Sequence, residues 1–543
     1  MNDESEFAYT RHGLTGGPRW QQRMLEIVPG ATSVSILGGL AALSWFRPVW
    51  ALLLIVAIDL LWLFYLCFTL ILLAVSSCRL AIERHTDWIA RIRALDNLQS
   101  DGGAPQNQST NNGLGRRLSE WIHQRGIQKL RARGESIPRS DTVHHVVILP
   151  VATESQEMLD LSLHSLLDQS FPPERTMVIL AIEENAKRRV KEGAWELHRK
   201  YYESFLALYV APHHTDSESP EEIHRTANVT YAAKMAAQAL QERHIPLNCA
   251  IVTCLDPCAV LGPQYLACVA WHFMACPSRD RVSFQPVPLF HLNVWNAPAL
   301  ARVLHIGSSF FHMIEASDPE KLVTFSSHSM SLQTLADVGY WPVEMLSNDA
   351  SIFWKCYLRF AGAYRIVPMQ ITVSLDIPHE GSFRSAVAGT YCERRRWAWG
   401  IENFPIIMRG FFSVSGIPLF QKFRHAFKLL QNHIASATWA PIVLLIGWLP
   451  ALFAALQAPP SIVAYNAARI QMLVLLFVIV ALAIAAVLSL FHLPLSGIKR
   501  PFQKLTGYLF SWLLLPILGI LLIALPALDV QARLIFGKYP HSR

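Results

Sequence analysis

Charged residues are scarce in this sequence. They make up 16% of the 543 residues, whereas 52% of the residues are hydrophobic. Soluble globular proteins carry about 25% charged residues, so the composition excludes an ordinary soluble enzyme and indicates a membrane protein with a soluble part. The 47 Lys and Arg residues outnumber the 40 Asp and Glu residues, but they form no long basic face. We therefore expect anionic lipid or phosphorylated ligands as partners, and no nucleic acid.

The sequence also lacks the cysteine and histidine spacings that are typical of a metal site. Its nine cysteines are an odd number. Cys254 and Cys258 are close in sequence, but no second pair follows to complete a zinc site. The histidines at positions 213, 214 and 291 show no ligand spacing. We therefore expect free thiols in a reducing compartment.

Long apolar runs near the start of the chain predict membrane helices. Segment 31–78 is too long for one helix to cross a hydrocarbon core of about 30 Å, and Arg47-Pro48 is the natural break between two helices. Asp59 lies in the second run, where a carboxylate is costly in lipid, so we expect it to face another helix. Segment 1–30 lacks the apolar stretch of a cleaved signal peptide and is predicted to be cytoplasmic.

The remaining flanking segments predict a linker and a second membrane region. Segment 79–142 contains a Gly-, Asn- and Gln-rich stretch and reads as a partly disordered linker. Segment 413–435 is basic and amphipathic, which suits a helix at the membrane interface, and 436–543 holds about three further apolar helices. The excess of Lys and Arg favours a cytoplasmic N-terminus and soluble domain. Five crossings would then put a basic C-terminus outside, so either the last block does not cross fully or the charge rule fails there.

Between these regions, segment 143–412 has the pattern of an α/β domain. Short β-branched runs ("HHVVILPV", "TMVILAIEE", "FLALYVAP", "CAIVTCLDP") alternate with helical periodicity, which predicts a mostly parallel sheet covered by helices. In such sheets ligands bind beyond the carboxyl ends of the strands. Glu183, Glu184 and Asp256 follow predicted strands, so we expect them at that edge.

Five motifs occur in a fixed order along this domain. They are "LPVATES" after the first strand, "LAIEEN" after the second, "TCLDPCA" after the fourth, "SND" before a helix, and "ERRRW" before the last membrane region. In this order the chain resembles membrane-embedded family 2 glycosyltransferases, particularly the processive synthases of cellulose and hyaluronan. The resemblance implies an α/β GT-A (Rossmann-like) cytoplasmic domain with an α-helical transmembrane domain, located in a bacterial inner membrane.

The resemblance also implies roles for the acidic residues. Glu183 and Glu184 would hold the nucleoside of the donor, and Asp256 would help to hold Mg²⁺ or Mn²⁺ on its diphosphate. Cys258 stands where the family has a second aspartate. Because these ions prefer hard oxygen ligands, the metal site is weakened, rebuilt from other residues, or lost.

Asp349 corresponds to the general base of the family. A carboxylate there can take the proton of the acceptor hydroxyl, although an aspartate at the start of a helix can also act as its N-cap. "FSSHSMSL", with Ser327, resembles the loop on the acceptor side. "HRTANVTYAAK" resembles the segment that contacts the nucleotide, which implies donor binding by Arg225 and Asn228.

The "ERRRW" motif corresponds to Gln-x-x-Arg-Trp in the family. By resemblance, Arg396 and Arg394 would bind the diphosphate, and Trp397 would offer an aromatic face to the acceptor sugar. Glu393 replaces the family's Gln. The alternative is a belt of aromatic and basic side chains at the membrane interface.

These features predict an inverting enzyme that uses a UDP-sugar to elongate a β-linked exopolysaccharide processively. Two alternatives stay open. The first is a single sugar transfer to a lipid carrier. The second is a catalytically degenerate subunit that binds nucleotide sugar or glycan without turnover. A homo-oligomer or export subunits are further expected partners.

Overall fold

The computed structural model covers most of the chain in continuous segments. It describes residues 7–99, 114–133, 137–183, 186–213, 221–320, 322–378, 383–457, 462–494 and 501–539.

The chain begins with two long apolar helices that are separated at Arg47-Pro48, as predicted. Proline lacks a backbone N–H and is therefore tolerated at the first position of the second helix. The first helix begins well before residue 31, where the apolar segment was expected to start. The expected linker contains two helices, and its Gly-rich stretch lies mainly outside the described residues. The helices are α1 (Gly16–Phe46), α2 (Pro48–Glu83), α3 (Trp88–Gln99) and α4 (Leu114–Arg133).

Four parallel strands then form one half of an eight-stranded sheet, in agreement with the predicted α/β pattern. The strands and the helices that connect them are β1 (His144–Val151), α5 (Gln156–Leu167), β2 (Thr176–Glu183), α6 (Arg188–Tyr201), β3 (Ala207–His213), α7 (Glu221–Glu242) and β4 (Ala250–Cys254), with spatial order β3-β2-β1-β4.

These strands are largely apolar because helices cover both faces of the sheet. Seven of the eight residues of β1 are buried. On one face, Ala232, Ala233 and Ala236 of α7 lie in the same buried cluster as Val146 and Ile148 of β1. Their spacing puts the small side chains on one side of the helix, so α7 lies close against the strands.

The second half of the sheet is mixed rather than parallel. Its second-to-last strand in chain order is short and runs antiparallel to both of its neighbours. The elements are β5 (Val260–Leu261), α8 (Tyr265–Ala275), β6 (Val282–Phe290), α9 (Ala299–Ala316), β7 (Ser329–Ser331), α10 (Leu332–Asp337), α11 (Asn348–Arg359) and β8 (Arg365–Leu375), which complete the order as β4-β7-β6-β8-β5.

Helices make up the rest of the described chain. The basic amphipathic segment lies in a helix that begins at Leu419 and continues to Leu444, beyond the predicted end at 435. The helices are α12 (Phe383–Ala398), α13 (Asn403–Ser413), α14 (Leu419–Leu444), α15 (Leu449–Gln457), α16 (Ile462–Leu490), α17 (Pro501–Ser511), α18 (Leu515–Leu518) and α19 (Leu525–Ile535).

Four helical segments in the described part of the chain are long and apolar enough to cross a membrane. They include α1, α2 and α16. A fifth is added if α14 and the helical segment after it, which meet at a bend of 40°, count as one crossing. Asp59 of α2 is buried, as expected of a carboxylate in such a helix. The predicted fold class, an α/β domain joined to an apolar helical part, is confirmed.

Candidate active site

An acidic side chain and an arginine meet at the carboxyl end of the parallel strands. Asp256 follows β4, and Arg225 projects from α7. The Arg225 guanidinium donates through Nη2 to Oδ1 of Asp256 at 2.6 Å. The hydroxyl of Ser326 donates to Oδ2 of the same carboxylate. Both oxygens of the predicted metal ligand therefore already accept hydrogen bonds.

The charge of Asp256 is fixed by these partners. Burial raises the pKa of the carboxyl, but Arg225 and the hydrogen bond from Ser326 outweigh that effect, so the pKa lies below its ordinary value. Asp256 is therefore ionised at neutral pH and forms a salt bridge with Arg225, in which the two side chains are 20% and 32% exposed.

Cys258 is a poor replacement for a second aspartate. Burial, followed by the nearby Asp256 carboxylate, raises the pKa of its thiol to about 12. The thiol is therefore protonated at neutral pH, whereas a metal ligand must be the thiolate. Among the described residues no group of three or more His, Cys, Asp or Glu side chains is arranged to hold a metal ion. The donors in this arrangement do not fit Mg²⁺ or Mn²⁺, so the sequence expectation of these ions gains no support from the site.

Asp349 lies in the first turn of α11, beside the same site. Its side chain is 31% exposed, and Oδ1 is 3.8 Å from Nδ1 of the buried His328. Ser347, not Asp349, occupies the N-cap position, so the capping alternative is wrong. Burial raises the pKa of Asp349, and the charges of His328 and Arg225 oppose this rise. A partly open carboxylate with a raised pKa has the properties of a general base.

The loop before Asp349 is held by Glu402, which sequence reasoning missed. Oε1 of Glu402 accepts hydrogen bonds from the backbone N–H groups of Leu346 at 2.7 Å and Ser347 at 3.0 Å. Oε2 accepts from Nη1 of Arg11 at 3.0 Å, and both charged side chains are buried. The local signal for this role is a lone acid within the apolar stretch "WAWGIENF".

Arg11 belongs to an N-terminal arm, residues 7–15, that packs near this loop. The hydroxyl of Tyr9 donates to Oδ1 of Asn403 at 2.5 Å. Nη2 of Arg409 donates to the backbone oxygen of Thr10 at 2.6 Å. The arm therefore reinforces the position of Glu402 and, through it, the start of α11.

The three arginines of the "ERRRW" motif lie on different sides of α12. Arg394 donates to the backbone oxygen of Leu304 in α9 at 2.7 Å, and Arg395 lies 3.9 Å from the carboxylate of Asp529. Arg396 is the one whose charge acts on both Asp256 and Asp349. The structure therefore brings Arg396 to the site, whereas it places Arg394 against α9.

Glu393 has a structural partner that explains why an acid is accommodated there. Its Oε2 is 2.8 Å from Nε2 of His305, whose side chain is fully buried in α9. Trp397 packs near the same histidine, with ring centroids 6.1 Å apart. The Arg394 guanidinium lies over the Trp397 ring at 4.5 Å. The motif thus fixes α12 to α9, and Trp397 stays partly exposed.

Two further residues that were predicted to bind the donor lie on β2 and α7. Glu183 ends β2 and pairs in register with His213 of β3. Asn228 of α7 is buried, and its Oδ1 lies 3.2 Å from Nδ1 of that histidine. Glu184 lies outside the described residues.

In the predicted acceptor-side loop, 325–332, the serine that contacts Asp256 is Ser326, not Ser327. Ser327 is fully buried and has a positive φ of 63°, and its backbone oxygen accepts from the Tyr265 hydroxyl at 3.2 Å. Ser326 instead contacts Asp256, and His328 faces Asp349. The sequence singled out this loop but could not show which of its side chains faces the site.

Comparison with known proteins identifies a relative for part of the chain. No family model matches. A stretch of 111 residues, 20% of this chain, is 31% identical to the poly-β-1,6-N-acetyl-D-glucosamine synthase of Staphylococcus aureus strain COL and covers 24% of it. The chain is similar to a polysaccharide synthase. This similarity confirms the resemblance that the motifs predicted.

Two further matches extend the comparison. The synthase of the same name from Staphylococcus epidermidis is 30% identical over 110 residues, which are 20% of this chain and 23% of the relative. The chain thus spans about a quarter of the length of these relatives. A mannosyltransferase structure from Pyrobaculum calidifontis, in complex with GDP-Man and Mn²⁺, gives a TM-score of 0.39 at 15% identity, covering 74% of this chain and 94% of the other.

Proposed function

We propose that this chain is an inverting glycosyltransferase that moves a sugar from a UDP-sugar to a growing polysaccharide. The observation that carries the proposal is the position of Asp349. Its partly open carboxylate lies beside Asp256, Arg225 and Arg396, at the edge of the sheet where ligands bind in α/β folds. The similarity to a polysaccharide synthase supports the same activity.

The reaction assigns separate tasks to these side chains. An acceptor hydroxyl oxygen attacks the anomeric carbon of the donor while its proton passes to the Asp349 carboxylate. The bond between that carbon and the diphosphate oxygen breaks, and UDP leaves with the electron pair. Arg396 and Arg225 stabilise the negative charge that develops on the diphosphate, since guanidinium groups bind phosphates through paired hydrogen bonds. Attack opposite the leaving group inverts the anomeric centre.

The apolar helices support a membrane location for this chemistry. We propose that they anchor the enzyme in the inner membrane with the α/β domain in the cytoplasm, where nucleotide sugars are available. Trp397 is partly exposed on α12, and its ring packs near Phe290 and His305. An aromatic face at this point suits stacking on an acceptor sugar, which favours repeated addition to one chain.

The direct test is UDP release by the full chain in lipid nanodiscs with a panel of UDP-sugars. UDP-N-acetylglucosamine is the first donor to try, because of the name of the Staphylococcus relative. Release with one donor, together with a long product, would support processive synthesis. Addition of one sugar to a lipid would favour the single-transfer alternative. Binding of UDP with no release under any condition would overturn the enzyme and favour a binding subunit.

The pH dependence of transfer offers a test of the base. Burial raises the pKa of Asp349, and the base works only when deprotonated. Activity should therefore fall as the pH drops through a value above about 3.9, the ordinary pKa of aspartate. The measurement is kcat/KM across the acid range, where this profile reports groups of the free enzyme.

The matched variants for this profile are Asp349→Glu and Asp337→Glu. Asp349→Glu keeps a carboxylate in a slightly different place and should move the acid limb. Asp337 is exposed at the end of α10, so Asp337→Glu should leave the limb unchanged. An acid limb that stays in place in Asp349→Glu would remove Asp349 from the role of base.

A further inference from the structure

The pair formed by Arg225 and Asp256 has a consequence for how the donor is bound. We propose that the Arg225 guanidinium supplies the positive charge beside the donor's diphosphate, so that donor binding requires no divalent cation. This inference rests on the proposed function, because it concerns the same site.

The first argument is that both oxygens of the Asp256 carboxylate already accept hydrogen bonds. A divalent cation at Asp256 would have to share the carboxylate oxygens with the groups that already donate hydrogen bonds to them. One oxygen of Asp256 accepts from Arg225 at 2.6 Å, and the other accepts from Ser326. Cys258, at the second ligand position, offers a sulfur in place of the hard oxygen that these ions prefer. The side chains at this corner of the site are therefore arranged around a guanidinium.

The second argument is the balance of charge. Two carboxylates, Asp256 and Asp349, are matched by two guanidinium groups, Arg225 and Arg396, that act on both of them. A metal ion at Asp256 would lie a few ångströms from the positive Arg225 and would be repelled by it. A diphosphate, in contrast, is attracted by both arginines.

The third argument is the planar shape of the Arg225 guanidinium group. A guanidinium carries five N–H donors in a planar fork. Nη2 of Arg225 donates to Asp256, which fixes the plane of the group at the edge of the sheet. Asp256 then acts as a positioning residue, since it orients the cation that meets the phosphate. This gives the negative charge of Asp256 a role that needs no metal.

The test is the affinity of the purified full chain in nanodiscs for UDP and for uridine, measured by titration calorimetry in EDTA, Mg²⁺ or Mn²⁺. We expect the UDP Kd to agree within about twofold in the three conditions, since no ion takes part. Arg225→Ala should weaken UDP binding by about 10- to 100-fold, as expected for lost charge-assisted hydrogen bonds. Uridine lacks the phosphates, so its affinity should not change.

Three variants complete the design. Arg225→Lys keeps the charge and should retain part of the UDP affinity, even if Arg225→Ala fails to fold. Cys258→Asp adds a carboxylate beside Asp256 and should make UDP binding respond to Mn²⁺. Arg188→Ala removes an arginine that is 91% exposed on α6 and should change nothing.

The outcomes separate this inference from the function on which it rests. If UDP binds wild type only when Mg²⁺ or Mn²⁺ is present, the inference is wrong and the transferase proposal stands. If Arg225→Ala weakens UDP and uridine equally, Arg225 has a structural role, which also overturns the inference. If neither UDP nor uridine binds in any condition, the proposed function itself fails.

Discussion

Asp349→Asn should lower the rate of sugar transfer by about 100- to 10,000-fold, the range that general base catalysis contributes. Asparagine has nearly the same shape as aspartate but cannot accept the proton of the acceptor hydroxyl. UDP should still bind, because asparagine keeps the shape of the side chain and Arg225 and Asp256 remain paired. The measurement is steady-state UDP release, with UDP affinity determined on the same preparation.

Asp337→Asn is the matched control, because it makes the same chemical change at an exposed position near α11. This variant should transfer sugar at the wild-type rate. Near-normal transfer by Asp349→Asn would exclude Asp349 as the base and would reopen the choice of catalytic residue. Loss of UDP binding in Asp349→Asn would instead point to a disturbed site.

The second large effect is expected at Glu402, which acts on Asp349 through the loop before it. Glu402→Ala should destabilise the α/β domain by about 3–5 kcal/mol, the usual cost of leaving one partner of a buried ion pair alone. The change strands the Arg11 guanidinium and the N–H groups of Leu346 and Ser347. We expect a lower apparent Tm and a reduced kcat, because the loop before Asp349 loses its anchor.

A double-mutant cycle separates this explanation from general damage. Arg11→Ala combined with Glu402→Ala should cost less than the sum of the single changes, because the two side chains share one interaction. Glu344→Ala removes an exposed acid that also contacts the N-terminal arm, through Thr10, and should have little effect. Strict additivity of the Arg11 and Glu402 effects would mean that the pair is not coupled.

The sequence predicted the parallel half of the sheet well because its signals are local. Each of the four strands is a largely apolar run, and the segments after β1 and β3 have helical periodicity. β7 carried no such signal, because Ser329–Ser331 is a short and partly polar segment. It becomes a strand only because β4 and β6 lie on either side of it, and neighbours of that kind are not visible in a local window.

The site residues divide in the same way, into those with a local sequence signal and those that are placed by contacts distant in sequence. Asp256 was singled out because it follows a predictable strand and matches the family's acidic motif, and Asp349 because its segment resembles the one that carries the family's general base. Glu402 and Ser326 were missed, since their contacts reach 56 and 70 residues along the chain. The three consecutive arginines could not be told apart, because adjacent helical residues point about 100° apart and only the packed position of α12 selects Arg396.

The contact of the N-terminal arm with Asn403 also sets an order of events during biosynthesis. Tyr9 leaves the ribosome 394 residues before the asparagine that it binds. The arm therefore cannot form this contact until translation has passed the whole α/β domain, long after α1 and α2 have been made. Closing so long a loop is costly in chain entropy, so the segment that carries Asp349 is expected to lock into place late, after the rest of that domain has been synthesised.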